Sequence, residues 1–233
     1  MKRAYEKNEL CFAIAGIILY TALGTLGSHW NRIAGVGDLP RTGLLFGAAV
    51  GLLLFVLLTG KAERYGLDLP ARAARLLWFL PLVPLALSNL LYGAVLPGPV
   101  RDVLLAIASA ISVAILEELL FRGLLYRALT PRGEKTAAIV SSAVFGLLHL
   151  IRLFDGIPLP FVLCQTVLAF AVGYLFVTLF AKSGSLLPCI AAHAVFNLCG
   201  AFAPEAPLWL LLTVTAAQSL LAAAYAVYAK RTR

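Results

Sequence analysis

The chain has 233 residues, of which 61% are hydrophobic and only 13% charged, with a mean hydropathy of +0.93. A soluble domain carries roughly 25% charged residues, so the composition describes an integral membrane protein. With about 20 apolar residues needed per span, no soluble domain of useful size fits beside the spans. The net charge of +8 is read as the bias that sets membrane topology, and no nucleic-acid partner is expected.

Apolar runs broken by charge, Gly or Pro define eight candidate spans, at 11–28, 43–60, 76–96, 101–127, 136–151, 161–181, 186–203 and 207–229. The expected fold is all-α, one polytopic transmembrane domain over 1–233 with its motif-bearing core at about 101–203. Span one follows a basic stretch, as a signal peptide would, but no small-x-small cleavage site follows it, so it is read as an uncleaved span. In span two Gly43, Gly47 and Gly51 form a GxxxGxxxG stripe, which is assigned to packing within the molecule. Cys11, Cys164, Cys189 and Cys199 lie in apolar runs without CxxC spacing and are read as buried packing thiols.

If the N-terminus is cytoplasmic, that face collects 14 of the 19 Lys and Arg: Lys2, Arg3, Lys7, Lys61, Arg64, Arg72, Arg75, Arg127, Arg132, Lys135, Lys182, Lys230, Arg231 and Arg233. The opposite face has Arg32, Arg41, Arg101 and Arg152, and Arg122 lies within a span. Lys and Arg are retained on the inner side during insertion. The expectation is a multi-pass cell-membrane protein with both termini cytoplasmic.

Glu117, Glu118 and Arg122 lie well inside span four. Three such charges cost roughly 8 to 10 kcal/mol near the bilayer centre, whereas the 13 Leu, Ile, Val and Phe of the span return about 4 to 8 kcal/mol on the same scale. They must therefore face a protein interior or a wet cavity. On an α-helix Glu118 and Arg122 are about 40° apart and can pair, while Glu117 points about 140° away from Arg122. A carboxylate without a cationic partner in apolar surroundings is suited to accept a proton, and one beside Arg stays ionised. Glu117 is thus the candidate general base, with Glu118 and Arg122 in support.

His149 ends the run Phe145-Gly-Leu-Leu-His149, and His193 and Asn197 sit four apart in His193-Ala-Val-Phe-Asn197, so each spacing puts two side chains on one helix face. Ionisable groups converging inside a membrane mark a functional site. Peptide hydrolysis needs a base for water, a second group to hold that water and protonate the leaving amine, and donors for the oxyanion. Glu117 and His149 suit the first two tasks and His193 with Asn197 the third. The chain has no HExxH, no intramembrane Asp pair and no GxSxG elbow. Ser183-Gly-Ser185 lies in a turn beside Lys182 and is not read as a nucleophile. Zinc held by Glu117, His149 and His193 with a water is the second mechanism by residue type.

Glu117-Glu118-Leu-Leu-Phe-Arg122, Phe145-Gly-Leu-Leu-His149 and His193-Ala-Val-Phe-Asn197 resemble the EExxxR, FxxxH and HxxxN motifs of the CAAX protease and bacteriocin-processing (CPBP or Abi) family, which includes the type II CAAX prenyl endopeptidases. All three occur in family order. The resemblance implies an all-helical intramembrane glutamic endopeptidase with no metal or other cofactor and a cavity open to the cytosol and the lipid. It implies Glu117 with His149 as water activators and His193 with Asn197 as the oxyanion hole. Its implied partners are membrane lipids and a peptide or protein substrate, with or without a lipid anchor. Relatives that act as immunity or scaffolding proteins make a non-catalytic role one alternative. A transporter relaying protons through the same groups is another, which broken helices or inverted repeats would mark. Neither is legible in the sequence.

Overall fold

A computed structural model describes residues 8–70, 73–96 and 98–232, all helix and connection with no strand among them. Lys2, Arg3, Lys7, Arg72 and Arg233 of the charge count lie outside these residues. Eight elements follow one another: α1 (Glu9–Ala34), α2 (Leu39–Leu58), α3 (Arg75–Tyr92), α4 (Val100–Arg132), α5 (Glu134–Asp155), α6 (Leu159–Ser183), α7 (Leu187–Ala201) and α8 (Leu208–Arg231). Each coincides with an expected span. Seven are long and apolar enough to cross a membrane, whereas α7 has 15 residues and reaches only about 22 Å at 1.5 Å per residue.

The helix ends follow local chemistry. Asn8 accepts from the Cys11 amide at 3.1 Å, and Gly35 closes α1 at φ 62°, a left-handed conformation that glycine adopts without strain. Proline opens α2, α6 and α7, where its missing N–H would have had no intrahelical partner. Inside α3 proline has the opposite effect. Pro81 separates a 3₁₀ turn (Ala73–Phe79) from a short α-helix (Leu82–Leu87), which passes at Ser88 into another 3₁₀ turn (Ser88–Tyr92), so the expectation of unbroken helices is corrected there.

The central element is α4, which packs against α1, α2, α5 and α7; α5 packs on α6, α6 on α8, and α7 on α3. The inward face of α2 is Thr42, Leu45, Ala49 and Val56. Gly43, Gly47 and Gly51 lie on the other side of that helix, exposed, and a Cβ at any of them would meet nothing within 4 Å. The stripe therefore does not pack within the molecule, contrary to its assignment from spacing. Of the cysteines, Cys189 and Cys199 are buried, Cys164 is half-buried and Cys11 is exposed.

At the end of the bundle that carries residues 8 and 232, the 61–67 loop is tied inward. Arg64 donates twice to Glu9, at 3.1 and 2.6 Å, and Tyr65 donates to Glu9 at 2.5 Å. The hydrogen bonds to Glu9 hold the Arg64 guanidinium above its already high ordinary range. Tyr65 is fully buried, and the Gly66 carbonyl accepts from the Leu186 amide at 2.7 Å. A Cβ on Gly66 would stand 2.4 Å from the Phe180 ring. This loop and the buried Leu119, Leu124, Tyr126, Phe180 and Leu186 form a solid plug.

The contact of α5 with α6 depends on Gly146, where a Cβ would lie 2.9 Å from the Thr166 carbonyl and 3.2 Å from the Phe170 amide. Backbone cannot swing aside as a side chain can. Gly146→Ala should lower the melting temperature in detergent by the equivalent of about 1 to 3 kcal/mol of overpacking, whereas Gly47→Ala should leave it unchanged or raised.

Candidate active site

Glu117 is the last residue of the α-helical part of α4, and from Glu118 to Tyr126 the helix is π-helical. The α-helical angles assumed from the sequence thus do not apply across this segment, which is wound more widely. Arg122 still reaches Glu118, its Nη1 donating to Oε1 at 3.1 Å with both side chains fully buried. The guanidinium lies 4.0 Å from the centroid of the Phe145 ring, a cation–π contact. Gly173 of α6 leaves the room: a Cβ there would be 2.8 Å from Arg122 Nη2. Ser141 of α5 donates to the Phe121 carbonyl at 2.7 Å and anchors the π segment laterally.

His193, from α7, inserts between the two glutamates. Its Nδ1 lies 2.8 Å from Glu118 Oε1 and its Nε2 3.4 Å from Glu117 Oε2. On the far side Tyr20 of α1 donates to Glu117 Oε1 at 2.5 Å. A continuous chain results, Arg122 to Glu118 to His193 to Glu117 to Tyr20, drawn from three helices. Glu117 lacks a fixed cation but is not without partners, which corrects the picture of an unpaired acid. Tyr20 was missed because a tyrosine in an apolar span has no spacing signature; the only clue was a phenol needing a partner away from water.

His149 stands at the end of the α-helical part of α5, where its Nδ1 contacts the Phe145 carbonyl at 2.9 Å. A carbonyl only accepts, so Nδ1 carries the proton, and in the neutral ring Nε2 is left as an acceptor. Asn197 is one turn beyond His193 on the same face of α7. That helix is positioned by Asn89 of α3, which donates to the Phe196 carbonyl at 3.0 Å and accepts from Gln218 of α8 at 3.2 Å.

Glu117, His149, His193 and Asn197 all line one cavity of about 650 Å³. His149, His193 and Asn197 also border a narrow, mainly apolar cleft of about 70 Å³ against Leu82, Leu85, Val172 and Phe176. The larger cavity runs past Ser109 and Val113 of α4 to a polar mouth at Asp38, Arg41, Arg152 and Asp155. Arg32 and Asp155 bridge the rim at 3.2 Å. This mouth is at the end of the bundle opposite the plug, away from residues 8 and 232. A cytosolic opening and cytoplasmic termini, both expected from the sequence, therefore cannot hold together. Among the described residues no three His, Cys, Asp or Glu side chains are grouped to hold a metal ion, so the zinc alternative finds no preformed ligand set.

Residues 99–199 match the family model described as Type II CAAX prenyl endopeptidase Rce1-like. That segment belongs to the CAAX protease family. It extends from the start of α4 to near the end of α7 and includes Glu117, Glu118, Arg122, His149, His193 and Asn197. No curated protein matches the chain. The match indicates a protease of the CAAX type, which implies a peptide or protein substrate in the membrane, and seven helices are long and apolar enough to cross one.

The buried pair generates a testable asymmetry. Glu118→Gln or Arg122→Gln strands one charge, so each should lose about 3 to 5 kcal/mol of stability. The double variant should lose less than their sum. A double-mutant cycle of melting temperatures in detergent measures this coupling, and strict additivity would mean that the pair does not act as a unit.

Proposed function

We propose that the protein is an intramembrane glutamic endopeptidase in which Glu117 and His149 activate water and His193 and Asn197 stabilise the oxyanion. The reading is supported above all by the convergence of these four side chains, from three helices, on one polar cavity deep in an apolar bundle. Glu117 takes a proton from water while His149 Nε2 accepts the water's other O–H and aims it. The hydroxide oxygen bonds to the scissile carbonyl carbon, and the negative charge moves to the carbonyl oxygen, towards the Asn197 amide and the Nε2–H of His193, which turns from Glu117 Oε2 to the oxyanion. Collapse breaks the C–N bond. The proton taken by Glu117 is returned to the leaving amine through His149, so water and peptide give one carboxylate product and one amine. Glu118 and Arg122 hold His193 in place from behind, and Tyr20 fixes the Glu117 rotamer.

The substrate in this proposal is a membrane-associated peptide, with an apolar side chain or lipid beside the scissile bond to occupy the cleft at Leu82 and Phe176. The setting is the cell membrane with both termini cytoplasmic, following the 14 to 4 division of Lys and Arg. The break in α3 would suit a transporter. That reading is disfavoured because α3 gives the main cavity only Asn89, and the plug of Tyr65, Leu124, Tyr126 and Phe180 closes any path onward.

Purified protein in detergent, incubated with peptides bearing or lacking a prenyl-type group on cysteine, should yield cleaved products by mass spectrometry, and thorough chelation should not abolish them. Activity lost on chelation and restored by zinc alone would make it a metalloprotease. Asn197→Ala should lower kcat about 100 to 1,000-fold with little change in KM, as expected of a group acting in the transition state.

A further inference from the structure

Six residues border both the polar cavity of about 650 Å³ and the apolar cleft of about 70 Å³: Phe145, His149, Gln165, His193, Phe196 and Asn197. These side chains form the seam between the two spaces. His149, His193 and Asn197 belong to the hydrolytic site, and Phe145 and Phe196 are apolar rings. Gln165 is the one polar side chain of the six to which the reaction gives no task.

Sequence and structure both set Gln165 apart. It is the only amide side chain of α6, which turns Leu168, Ala169, Val172 and Phe176 to the cleft from the same helix face. The hydroxyls of Thr166 and Thr178 are satisfied within the helix, by the Val162 and Tyr174 carbonyls at 2.9 and 2.8 Å. Gln165 instead reaches α5, where Arg152 Nη1 donates to its Oε1. A guanidinium has no acceptor, so this bond fixes which end of the amide is oxygen. Nε2 and its two N–H groups are left on the other side, and among the described residues no protein group accepts from them.

A peptide that fills the cleft with an apolar side chain or lipid, and presents its scissile carbonyl to His193 and Asn197, has to carry the adjoining backbone across the seam. A peptide carbonyl taken out of water there costs affinity unless a donor meets it. Resting on the protease reading above, we infer that Gln165 is a substrate-binding residue whose Nε2–H donates to the backbone carbonyl of a residue next to the scissile bond. That contact sets which peptide bond comes to rest between Glu117 and His149. Arg152 is the positioning residue, holding the amide with its donor end free. The ligand of this subsite is extended polypeptide backbone, recognised whatever side chain it bears, while the cleft supplies the side-chain preference.

The test compares Gln165→Glu and Gln165→Met in purified protein, using the peptide cleaved in the assay above. Glu keeps the oxygen and makes the contact with Arg152 an ion pair, but a carboxylate donates nothing. Met keeps the length of the side chain and has no N–H. Each should raise KM about 3 to 10-fold with kcat nearly unchanged, as expected for a neutral hydrogen bond made equally in the bound substrate and the transition state. The melting temperature of Gln165→Glu should stay at that of the unaltered protein. Wild-type KM in Gln165→Glu would mean that the residue serves only to hold Arg152, and would overturn the inference, as would a loss confined to kcat in both variants. In a second arm the peptide is remade with one bond at a time, other than the scissile one, replaced by a trans-alkene, which has no carbonyl. One replacement adjoining the scissile bond should raise KM of the unaltered protein by a similar factor and add nothing in Gln165→Met, because the same contact is already lost. Losses that multiply at every position would overturn the subsite and leave the protease reading intact. No cleavage of the parent peptide by the unaltered protein would refute the protease reading, and this role with it.

Discussion

Charge that is buried must be balanced, and in this protein that requirement organises the centre of the molecule. Two carboxylates and a guanidinium on one apolar helix are tolerable only because Arg122 is bonded to Glu118, His193 bridges Glu118 and Glu117, and Tyr20 donates to Glu117. Much of the surrounding packing serves that chain. Gly173 makes room for the guanidinium, Phe145 covers it, Ser141 holds the π-helical turn, and Asn89 with Gln218 fixes the helix that carries His193. The π segment begins at Glu118, immediately after Glu117, so the change of winding falls between the two acids and separates their surroundings. One acid is held by a permanent cation. The other meets only a phenol, an imidazole and the cavity.

That difference divides structural from chemical work. Glu118 with Arg122 is sealed from solvent, whereas Glu117 lines the polar cavity. The same contrast runs along the bundle axis. Below the acids the molecule is closely packed from Leu119 to the 61–67 loop, and above them it is hollow to the rim at Arg32 and Asp155. A blind polar pocket suits hydrolysis, which needs water and substrate delivered to one point. It does not suit transport, which needs two openings.

The spans were legible because hydrophobic length is a one-dimensional property, and the eight apolar runs became eight helical elements. The acids, histidines and asparagine were legible for a related reason, since an ionisable group in an apolar run announces itself by its cost. What stayed hidden depended on which neighbour each face meets. Tyr20 joins Glu117 across 97 positions of sequence, and nothing local marks it. The stripe at Gly43, Gly47 and Gly51 had the right spacing for close packing, but α2 turns Leu45 and Ala49 inward instead. Pro81 was visible, yet its effect on α3 was hidden by the apolar length of the run. The direction of the cavity mouth could not be read at all, because it follows from Tyr65 and Gly66 folding back under the site.

The central claim is that Glu117, not its neighbour, does the chemistry, and it is tested most directly by peptide turnover of Glu117→Gln measured beside its melting temperature in detergent. Gln keeps nearly the same size and an oxygen that can accept from Tyr20, but it cannot take a proton from water. The account predicts turnover lost with the melting temperature essentially unchanged. Retained turnover in a folded Glu117→Gln protein would contradict it.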